Sequence, residues 1–407
     1  MIAKKILMLI LGQIKVGSLQ VEFPDGSIYC TSPDATPSAQ IVLHNWRVVR
    51  RLLVKGDMAI AESYMDGDWS SETLSQLIDL GLANLDAFQP NRFTAGLIKF
   101  IGHLRHKRNA NTLEGSRRNI AFHYDLGNDF YKEWLDPSMT YSSALFDENE
   151  TDMDVAQLRK YRSLADSLGL KPGDRVLEIG CGWGGFAEVA AREYGVNVLG
   201  LTLSEEQKRY ADARMQRAGL AAQVEIRLQD YRHVRGEFDK IVSIEMFEAV
   251  GEENWPVYFE ILNQRLTPGG RAALQIITID HGLFQTYRRR IDFIQRYIFP
   301  GGMLPSHEAL ASAIDGEGLT LERRAFFGLS YAKTLAQWRE RFVAAWPRIA
   351  KQGFDQRFRR MWMFYLCYCE GGFRTGRIDV GHFLISKSDG FRNTLPTAEF
   401  DKRAVVA

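Results

Sequence analysis

The segment Leu-Glu-Ile-Gly-Cys-Gly-Trp-Gly-Gly at 177–185 constrains the fold of this chain more than any other. The apolar run before its first glycine predicts a buried strand, and apolar residues at helical spacing follow its last glycine. Glycines between a strand and a helix let a ligand lie directly against the backbone at the carboxyl edge of a sheet. The segment therefore predicts a nucleotide-like ligand. The positions of closest approach are Gly180, Gly182 and Gly184.

Two common phosphate-binding turns do not match this segment. No Gly-Lys-Ser or Gly-Lys-Thr follows it, as a Walker loop requires. Thr202 stands where a dinucleotide-binding fold would end its second strand with an acidic residue. A structural turn without a ligand is the alternative for the glycines taken alone.

The chain beyond Leu170 alternates between strand and helix patterns, which predicts an α/β domain with a parallel, doubly wound sheet. The predicted strands are 175–179, 196–201, 224–228, 240–244 and 271–277. After the second strand, Ser204 and Gln207 form a capping-box pattern that starts a helix. After the third, the Asp230 carboxylate either hydrogen-bonds an adenine amino group or is simply solvated.

The sequence predicts two domains. A small α+β domain is expected at 1–104, where alternating apolar residues at 19–23 before Pro-Asp-Gly predict a strand and a tight turn. The basic, polar segment 105–118 has no periodicity and is typical of an exposed linker. The main domain is expected at 119–407. Within it, the aromatic- and arginine-rich stretch at about 280–346 is interpreted as a lid beside the substrate pocket.

Composition narrows the class of protein. Lys and Arg number 51 against 50 Asp and Glu, so the totals lack the basic excess of nucleic-acid binders. Four cysteines without zinc-ribbon spacing argue against a disulfide framework and a structural metal, and favour the cytosol. The apolar stretch at 6–12 is too short to span a bilayer. It predicts a helix that packs on the N-terminal domain or lies against a membrane surface.

Six separated segments carry a resemblance to a known family. They are His123-Tyr-Asp-Leu-Gly-Asn-Asp129, Met139-Thr-Tyr-Ser-Ser143, the glycine segment 177–185, Gln229-Asp-Tyr-Arg232, Met246-Phe-Glu248 and Tyr297-Ile-Phe-Pro-Gly-Gly-Met-Leu-Pro305. Together they resemble the cyclopropane fatty acid synthases and the related mycolic acid methyltransferases. The likeness extends from about Asn119 to Lys387, and the N-terminal module looks like the accessory domain of the longer bacterial synthases.

The resemblance implies a Rossmann-like class I methyltransferase domain with a lid insertion, and S-adenosylmethionine as its methyl donor. The implied donor site agrees with the glycine turn, and no metal is required. The residues implied to line this site are Tyr124, Tyr141, Ser142, Gly180, Gly182, Gly184, Thr202, Leu203, Gln207, Gln229 and Asp230.

The implied reaction passes the methyl group to the double bond of an unsaturated phospholipid acyl chain and closes a cyclopropane ring. An alkene is a poor nucleophile, so the enzyme must hold it against the sulfonium in a dry pocket and tolerate a carbocation. Aromatic faces suit that task through cation–π contacts of about 0.5–2 kcal/mol each. The candidates are 297–299, 326–327, 362–365 and Tyr331, with ordinary core packing as the alternative.

Ring closure also needs a base that removes a proton from the transferred methyl group, and the family is understood to use bound bicarbonate. The implied ligands are Glu248, Tyr331, Ser143, Gln275 and the backbone of Ile277. Ser143 stands in place of a cysteine and Gln275 in place of a histidine, while Glu245 replaces a small residue and Ala249 a histidine. Bicarbonate as a second cofactor therefore stays open.

Cys369 matches a cysteine once regarded as catalytic in the family and is kept among the candidate catalytic residues. A thiolate has no evident role in alkene methylation, so a buried structural cysteine is the preferred interpretation. For membrane contact the candidates are 288–290, 357–360 and the linker arginines, each charge contributing about 1 kcal/mol near an anionic surface, with solvated helix faces as the alternative. The expected partners are unsaturated phospholipids at the inner face of the membrane, where a cytoplasmic protein would attach peripherally. A homodimer is left open.

Three other functions are weighed against this one. An acyl C-methyltransferase of the same family would give a methylene- or methyl-branched chain, and Ser143 and Gln275 support it. A non-catalytic lipid-binding protein would explain the altered base ligands, but the complete glycine motif and Glu248 argue against it. Methylation of a protein, a nucleic acid or a small metabolite would follow from the fold alone, because a fold does not set the substrate.

Overall fold

The packing of the chain divides it into two units in the computed structural model. The described residues are 2–32, 36, 38–56, 58–85 and 126–387. The first unit contains the described residues up to 85 together with Arg289–Ile298 and Leu335–Arg377, and the second contains the remaining ones. The predicted linker 105–118 lies outside the described residues, so the domain boundaries stay a prediction. Two segments expected in the main domain pack in the first unit instead.

The first unit is a small α+β arrangement built on a four-stranded sheet. Its strands are β1 (Leu19–Glu22), β2 (Ile28–Cys30), β3 (Ala39–Leu43) and β4 (Trp69–Ser70), in the order β2-β1-β3-β4. Its helices are Ile2–Leu11, Arg47–Lys55, Met58–Met65, Leu74–Ala83, Phe293–Tyr297, Gln356–Arg374 and the C-terminal part of Gly328–Lys351. The predicted strand and turn are confirmed, since β1 pairs antiparallel with β2 around Gly26, whose φ is +77°.

The apolar stretch at 6–12 lies in the helix Ile2–Leu11, as predicted, which buries Leu7 and Leu11 and leaves Ile2 and Leu9 exposed. Across the described ranges, no helix has both the length and the apolar character that crossing a bilayer requires.

The second unit is a doubly wound α/β arrangement on a seven-stranded sheet. Its strands are β5 (Arg175–Ile179), β6 (Asn197–Thr202), β7 (Val224–Leu228), β8 (Phe238–Ile244), β9 (Leu266–Ile279), β10 (Leu319–Phe326) and β11 (Ile378–Lys387). The order is β10-β11-β9-β8-β5-β6-β7, with β5 to β9 parallel and β11 antiparallel between β9 and β10. Its helices are Asn128–Lys132, Met153–Leu168, Gly185–Tyr194, Glu205–Ala218, Trp255–Arg265, His281–Tyr287, His307–Gly316 and the N-terminal part of Gly328–Lys351.

The α/β prediction is confirmed, and every predicted strand is present, although β9 is longer than expected. Apolar side chains cover both faces of the sheet: Val176 and Leu177 on β5 are fully buried in two different clusters. The lid interpretation of 280–346 is wrong for Leu319–Phe326, which is strand β10. Exposed charged residues on this edge strand concealed its pattern, since only one of its residues is buried.

Candidate functional site

The glycine turn links β5 to the helix Gly185–Tyr194 with three left-handed residues. The φ angles are +82° at Gly180, +52° at Gly182 and +81° at Gly184. A Cβ at Gly182 would meet nothing within 4 Å, whereas one at Gly180 would lie 2.8 Å from the Met246 side chain. A Cβ at Gly184 would be crowded by the helix Glu205–Ala218. Gly182 therefore leaves room for a ligand above its backbone, while protein packing explains the other two glycines.

The end of β6 is fixed by a short hydrogen-bond network. The Thr202 hydroxyl donates to Gln207 Oε1 at 2.7 Å and accepts from the Ser204 N–H at 3.1 Å. Ser204 caps the following helix as predicted, accepting from the Gln207 N–H at 3.3 Å. The reciprocal half of the predicted capping box is wrong, because the Gln207 side chain is bonded to Thr202. Leu203, between them, is half-buried.

The end of β7 places Gln229 and Asp230 beside this network. The Gln229 N–H donates to the Thr202 carbonyl at 3.0 Å. Asp230 is buried and accepts from the Arg232 guanidinium at 2.7 Å and 2.9 Å. Burial alone would raise the pKa of Asp230, but the hydrogen bonds from Arg232 outweigh it and lower that pKa. The carboxylate is therefore an anionic acceptor at the carboxyl edge of the sheet and is not simply solvated.

The loop 139–146 brings further predicted residues to the second unit's interior. Tyr141 packs among aromatic rings, with centroids 5.3 Å from Tyr131, 5.6 Å from Trp134 and 6.3 Å from Phe299. The hydroxyl of buried Ser142 accepts from Lys160 Nζ at 2.7 Å. The predicted site residue Tyr124 lies outside the described residues.

Glu245 is the centre of a hydrogen-bond cluster that joins this loop to the sheet. It follows β8 with a φ of +49°, a left-handed angle that non-glycine residues rarely adopt. Its Oε1 accepts from the Ser143 N–H at 2.8 Å and from Gln275 Nε2 at 2.7 Å. Its Oε2 accepts from the Tyr331 hydroxyl at 2.6 Å. The structure thus gathers three predicted base-site residues around a side chain noted in the sequence only as a departure.

Glu248 lies three residues after Glu245, in the short 3-10 helix Phe247–Ala249. Its Oε1 accepts from the Ile277 N–H at 2.5 Å. Its Oε2 is buried without a hydrogen-bond partner among the described residues. Burial, followed by the nearby Glu245, raises the pKa of Glu248 to about 8. Burial also raises the pKa of Glu245, but the hydrogen bonds from Tyr331, Ser143 and Gln275 oppose that rise, whereas Glu248 accepts only from the Ile277 N–H among the described residues.

Lys160 is a buried cation that the sequence reasoning missed. Burial lowers its pKa to about 7, while Glu245, Asp136 and Glu178 oppose that change. It lies on the helix Met153–Leu168 between the buried residues Ala156 and Leu164. A lysine four residues from apolar positions on either side is the signal that could have identified it, because that spacing places it on the buried helix face.

His382 was also missed, and it completes the surroundings of Gln275. Its Nε2 lies 3.0 Å from Gln275 Oε1, and its Nδ1 lies 3.5 Å from the Ser163 hydroxyl. Burial lowers the pKa of His382 to about 3, so the ring is neutral. Since the Gln275 amide nitrogen faces Glu245, the His382 Nε2 carries the hydrogen and donates. No local pattern predicts this pairing, which depends on the register of β9 and β11.

Several candidates from the sequence lie elsewhere. Cys369 is on the helix Gln356–Arg374 in the first unit, and burial raises the pKa of its thiol, so it is not a thiolate. Its neighbours Trp362, Phe364 and Tyr365 are buried in that unit, which supports the core-packing alternative. Phe326 stacks on His307 in the second unit, with centroids 4.3 Å apart.

The basic clusters proposed for membrane contact are largely engaged within the protein. Arg357 pairs with Asp66 at 3.1 Å, and Arg360 donates to the carbonyls of Tyr64 and Trp69. Arg288 donates to Glu252 at 3.0 Å. These three side chains have partners within the protein, and the headgroup interpretation stays a prediction. The linker arginines lie outside the described residues. Arg289 and Arg290 are exposed.

A doubly wound sheet with a glycine turn after β5 and polar residues after β6 and β7 defines an S-adenosylmethionine-dependent methyltransferase. The family described as mycolic acid cyclopropane synthetase matches residues 111–383. This chain belongs to that family, as the sequence motifs predicted.

Two relatives match nearly the whole chain. The tuberculostearic acid methyltransferase UfaA1 of Mycobacterium tuberculosis is 40% identical over 89% of this chain and 86% of its own length. The cyclopropane-fatty-acyl-phospholipid synthase of Escherichia coli is 38% identical over 88% of this chain and 90% of its own length. The crystal structure of mycolic acid cyclopropane synthase CmaA1 complexed with SAH and CTAB covers 67% of this chain and 98% of that chain, with 33% identity and a TM-score of 0.64.

Proposed function

We propose that this enzyme transfers the methyl group of S-adenosylmethionine to the double bond of an unsaturated phospholipid acyl chain and closes a cyclopropane ring. One observation carries the proposal: buried Ser142 belongs to the predicted donor site, and the next residue, Ser143, donates its N–H to the half-buried Glu245 carboxylate at 2.8 Å. The Glu245 carboxylate is therefore hydrogen-bonded to the residue that follows Ser142, a member of the predicted methyl-donor site. The Escherichia coli relative is named for this reaction, which supports the proposal.

The residues at the carboxyl edge fit the methyl donor. Gly182 leaves open space above its backbone, Asp230 offers an anionic acceptor, and Thr202 is fixed by Gln207. When bound, S-adenosylmethionine supplies an electrophilic methyl group on a positively charged sulfur. Lys160 donates to the Ser142 hydroxyl. This hydrogen bond orders the loop that contains Tyr141 and Ser142 before a ligand binds.

The aromatic residues around Tyr141 suit a reaction through a carbocation. Tyr131 and Trp134 are fully buried, and Phe299 faces Tyr141 from the other side. Such rings exclude water and stabilise a nearby cation by about 0.5–2 kcal/mol each. This surrounding prevents the cation from being captured by water before a proton is removed.

A second candidate product is a methylene- or methyl-branched chain. A hydride shift from the methylated carbon to its cationic neighbour, followed by loss of a methyl proton, gives a methylene group. The Ser143 N–H and the Gln275 amide nitrogen donate to the Glu245 carboxylate, and Glu245 itself replaces a small residue of the family, which changes the position of the base. The Mycobacterium tuberculosis relative is named as a methyltransferase of tuberculostearic acid, which favours the same alternative.

Bicarbonate does not fit the residues implied to bind it. The Ser143 N–H, the Gln275 amide nitrogen and the Tyr331 hydroxyl donate to Glu245. The Ser143 hydroxyl donates to the Ala144 carbonyl, and the Ile277 N–H donates to Glu248. A bicarbonate ion would therefore have to displace the Glu245 carboxylate from these donors. We therefore assign no step to bicarbonate.

The proposal extends to the membrane, where unsaturated phospholipids reside. Arg289 and Arg290 are exposed and are proposed to meet phosphate headgroups. A cytoplasmic enzyme attached peripherally to the inner membrane face accounts for access to these lipids. The homodimer stays a prediction.

The test uses S-adenosylmethionine labelled in its methyl group and vesicles of a phospholipid with one cis double bond in each acyl chain. Label is expected in the acyl chains of these vesicles and absent from vesicles of the matched saturated phospholipid. Label in neither lipid contradicts the proposal. Label in both lipids contradicts the role assigned to the double bond.

A further inference from the structure

We propose that the Glu245 carboxylate is itself the catalytic base that removes the proton from the transferred methyl group. The inference rests on the proposed function, because it assigns a residue to the second half of that reaction. It starts from the misfit described above: Glu245 occupies the donors that an external anion would need.

The chemical step balances with this one residue. The π electrons of the alkene form a bond to the methyl carbon, the carbon–sulfur bond breaks towards sulfur, and the other alkene carbon becomes cationic. Glu245 then accepts a proton from the new methyl group. The electron pair of that carbon–hydrogen bond closes the ring, or forms the methylene double bond if a hydride has shifted first. The proton leaves Glu245 to solvent after the product departs.

The backbone of Glu245 has an unfavourable left-handed conformation that its hydrogen-bond partners hold in place. A left-handed conformation costs a non-glycine residue about 1–2 kcal/mol. The conformation is kept by the Glu245 N–H, which donates to the Gln275 carbonyl at 2.8 Å, and by the three donors on the carboxylate. Strain of this kind concentrates at functional sites. Here it aims a carboxylate between Ser143 on the loop and Tyr331 on the helix Gly328–Lys351.

The groups around Glu245 determine its strength as a base. Burial raises its pKa, and the hydrogen bonds from Tyr331, Ser143 and Gln275 together with the Lys160 ammonium oppose the rise. A carboxylate with a raised pKa is a stronger base than a solvated one.

The remaining polar groups on the packed elements are Glu248, His382 and Glu178. Glu248 is held protonated by burial and by Glu245, and His382 is neutral behind Gln275. Glu178 on β5 also faces Lys160, and burial raises the pKa of Glu178 to about 8. Among these groups, the Glu245 carboxylate is the one that accepts three hydrogen bonds, from Ser143, Gln275 and Tyr331.

Two substitutions at one position test the assignment. Glu245→Gly empties the place of the carboxylate, and glycine adopts the left-handed backbone without strain. Glu245→Gln removes the charge but keeps the space filled. Product formation is measured with unsaturated phospholipid vesicles in carbonate-free buffer, then with added bicarbonate or formate. Binding of S-adenosylhomocysteine and thermal unfolding show that each variant is folded and loaded.

The wild-type enzyme is expected to form product at the same rate with and without bicarbonate. Both variants are expected to lose about 100-fold or more, the contribution of a positioned general base. Bicarbonate or formate is expected to restore activity in Glu245→Gly alone, because only that variant has room for the anion. A Glu245→Gly variant as active as wild type in carbonate-free buffer, or a wild type that requires bicarbonate, overturns the assignment. No methylated lipid from the wild type under any condition instead overturns the proposed function and the assignment with it.

Discussion

Gln275 on β9 and His382 on β11 face each other across the sheet, and the ring Nε2 lies 3.0 Å from the amide oxygen. This contact fixes the orientation of the Gln275 side chain. Its nitrogen is therefore directed at Glu245 Oε1, 2.7 Å away. A neutral histidine that was not among the predicted site residues thus positions the Gln275 donor to the proposed base.

Replacing His382 is expected to affect turnover more than binding. His382→Leu leaves the buried Gln275 oxygen without its donor, a loss of about 1–3 kcal/mol. We expect kcat to fall about tenfold, with KM for S-adenosylmethionine unchanged, in steady-state assays. His307→Leu is the control. His307 stacks on Phe326, so its replacement is expected to lower the Tm without changing kcat. Equal loss of kcat in both variants would contradict a positioning role.

Tyr331→Phe is expected to move the acid side of the pH–rate profile to higher pH. The Tyr331 hydroxyl donates to Glu245 and lowers the pKa of that carboxylate. Without this donor the pKa of Glu245 rises, so a higher pH is needed to ionise the base. The profile of kcat/KM against pH measures the shift. Tyr194→Phe removes a hydroxyl that bonds Asp166 at 2.7 Å and is expected to leave the profile unchanged.

Gly182→Val is expected to weaken binding of the methyl donor. Its side chain would enter the open space above the turn, where the predicted ligand lies. Gly169→Val is the matched control, because Gly169 also has a positive φ, at +62°, and open space around its Cβ position. Both variants carry the left-handed penalty of about 1–2 kcal/mol. Calorimetry with S-adenosylhomocysteine is expected to show a loss of affinity of tenfold or more, roughly 1.4 kcal/mol, in Gly182→Val only.

Glu178→Gln is expected to make the fold less sensitive to alkaline pH. Burial raises the pKa of Glu178 from 4.5 to about 8 in the folded protein. Its contribution to stability is therefore complete below pH 4.5 and is lost as pH rises towards 8, where burial of the charge opposes folding. The Tm of the wild type should fall more steeply over this range than that of the variant. Parallel Tm curves for the two proteins would contradict this account.

The sheet could be predicted because its signal is local. Strand patterns alternate with helical patterns from β5 to β9, and β5 is an apolar run buried on both faces, as at Val176 and Leu177. β10 escaped prediction because its sequence Leu-Thr-Leu-Glu-Arg-Arg-Ala-Phe is mostly exposed at the sheet edge. Edge strands carry such charges, and the pattern of a buried strand is then lost.

The site could be predicted in part. The glycine turn and the family motifs led to Ser143, Gln275, Tyr331 and Glu248, which the structure brings to one cluster. The sequence could not show that the Glu245 carboxylate occupies their donors, because its left-handed backbone leaves no trace in residue spacing. The position of His382 depends on antiparallel register between distant strands.

The most direct test of the central claim follows the hydrogen atoms of the methyl group. The enzyme is supplied with S-adenosylmethionine carrying a trideuterated methyl group and with vesicles of monounsaturated phospholipid, and the acyl methyl esters are analysed by mass spectrometry and nuclear magnetic resonance. The account predicts that the new carbon keeps two of its three deuterium atoms, in a cyclopropane ring or, for the second candidate, a methylene group. A product that keeps all three deuterium atoms would contradict removal of a methyl proton, and the absence of deuterium from the lipid would contradict the claim itself.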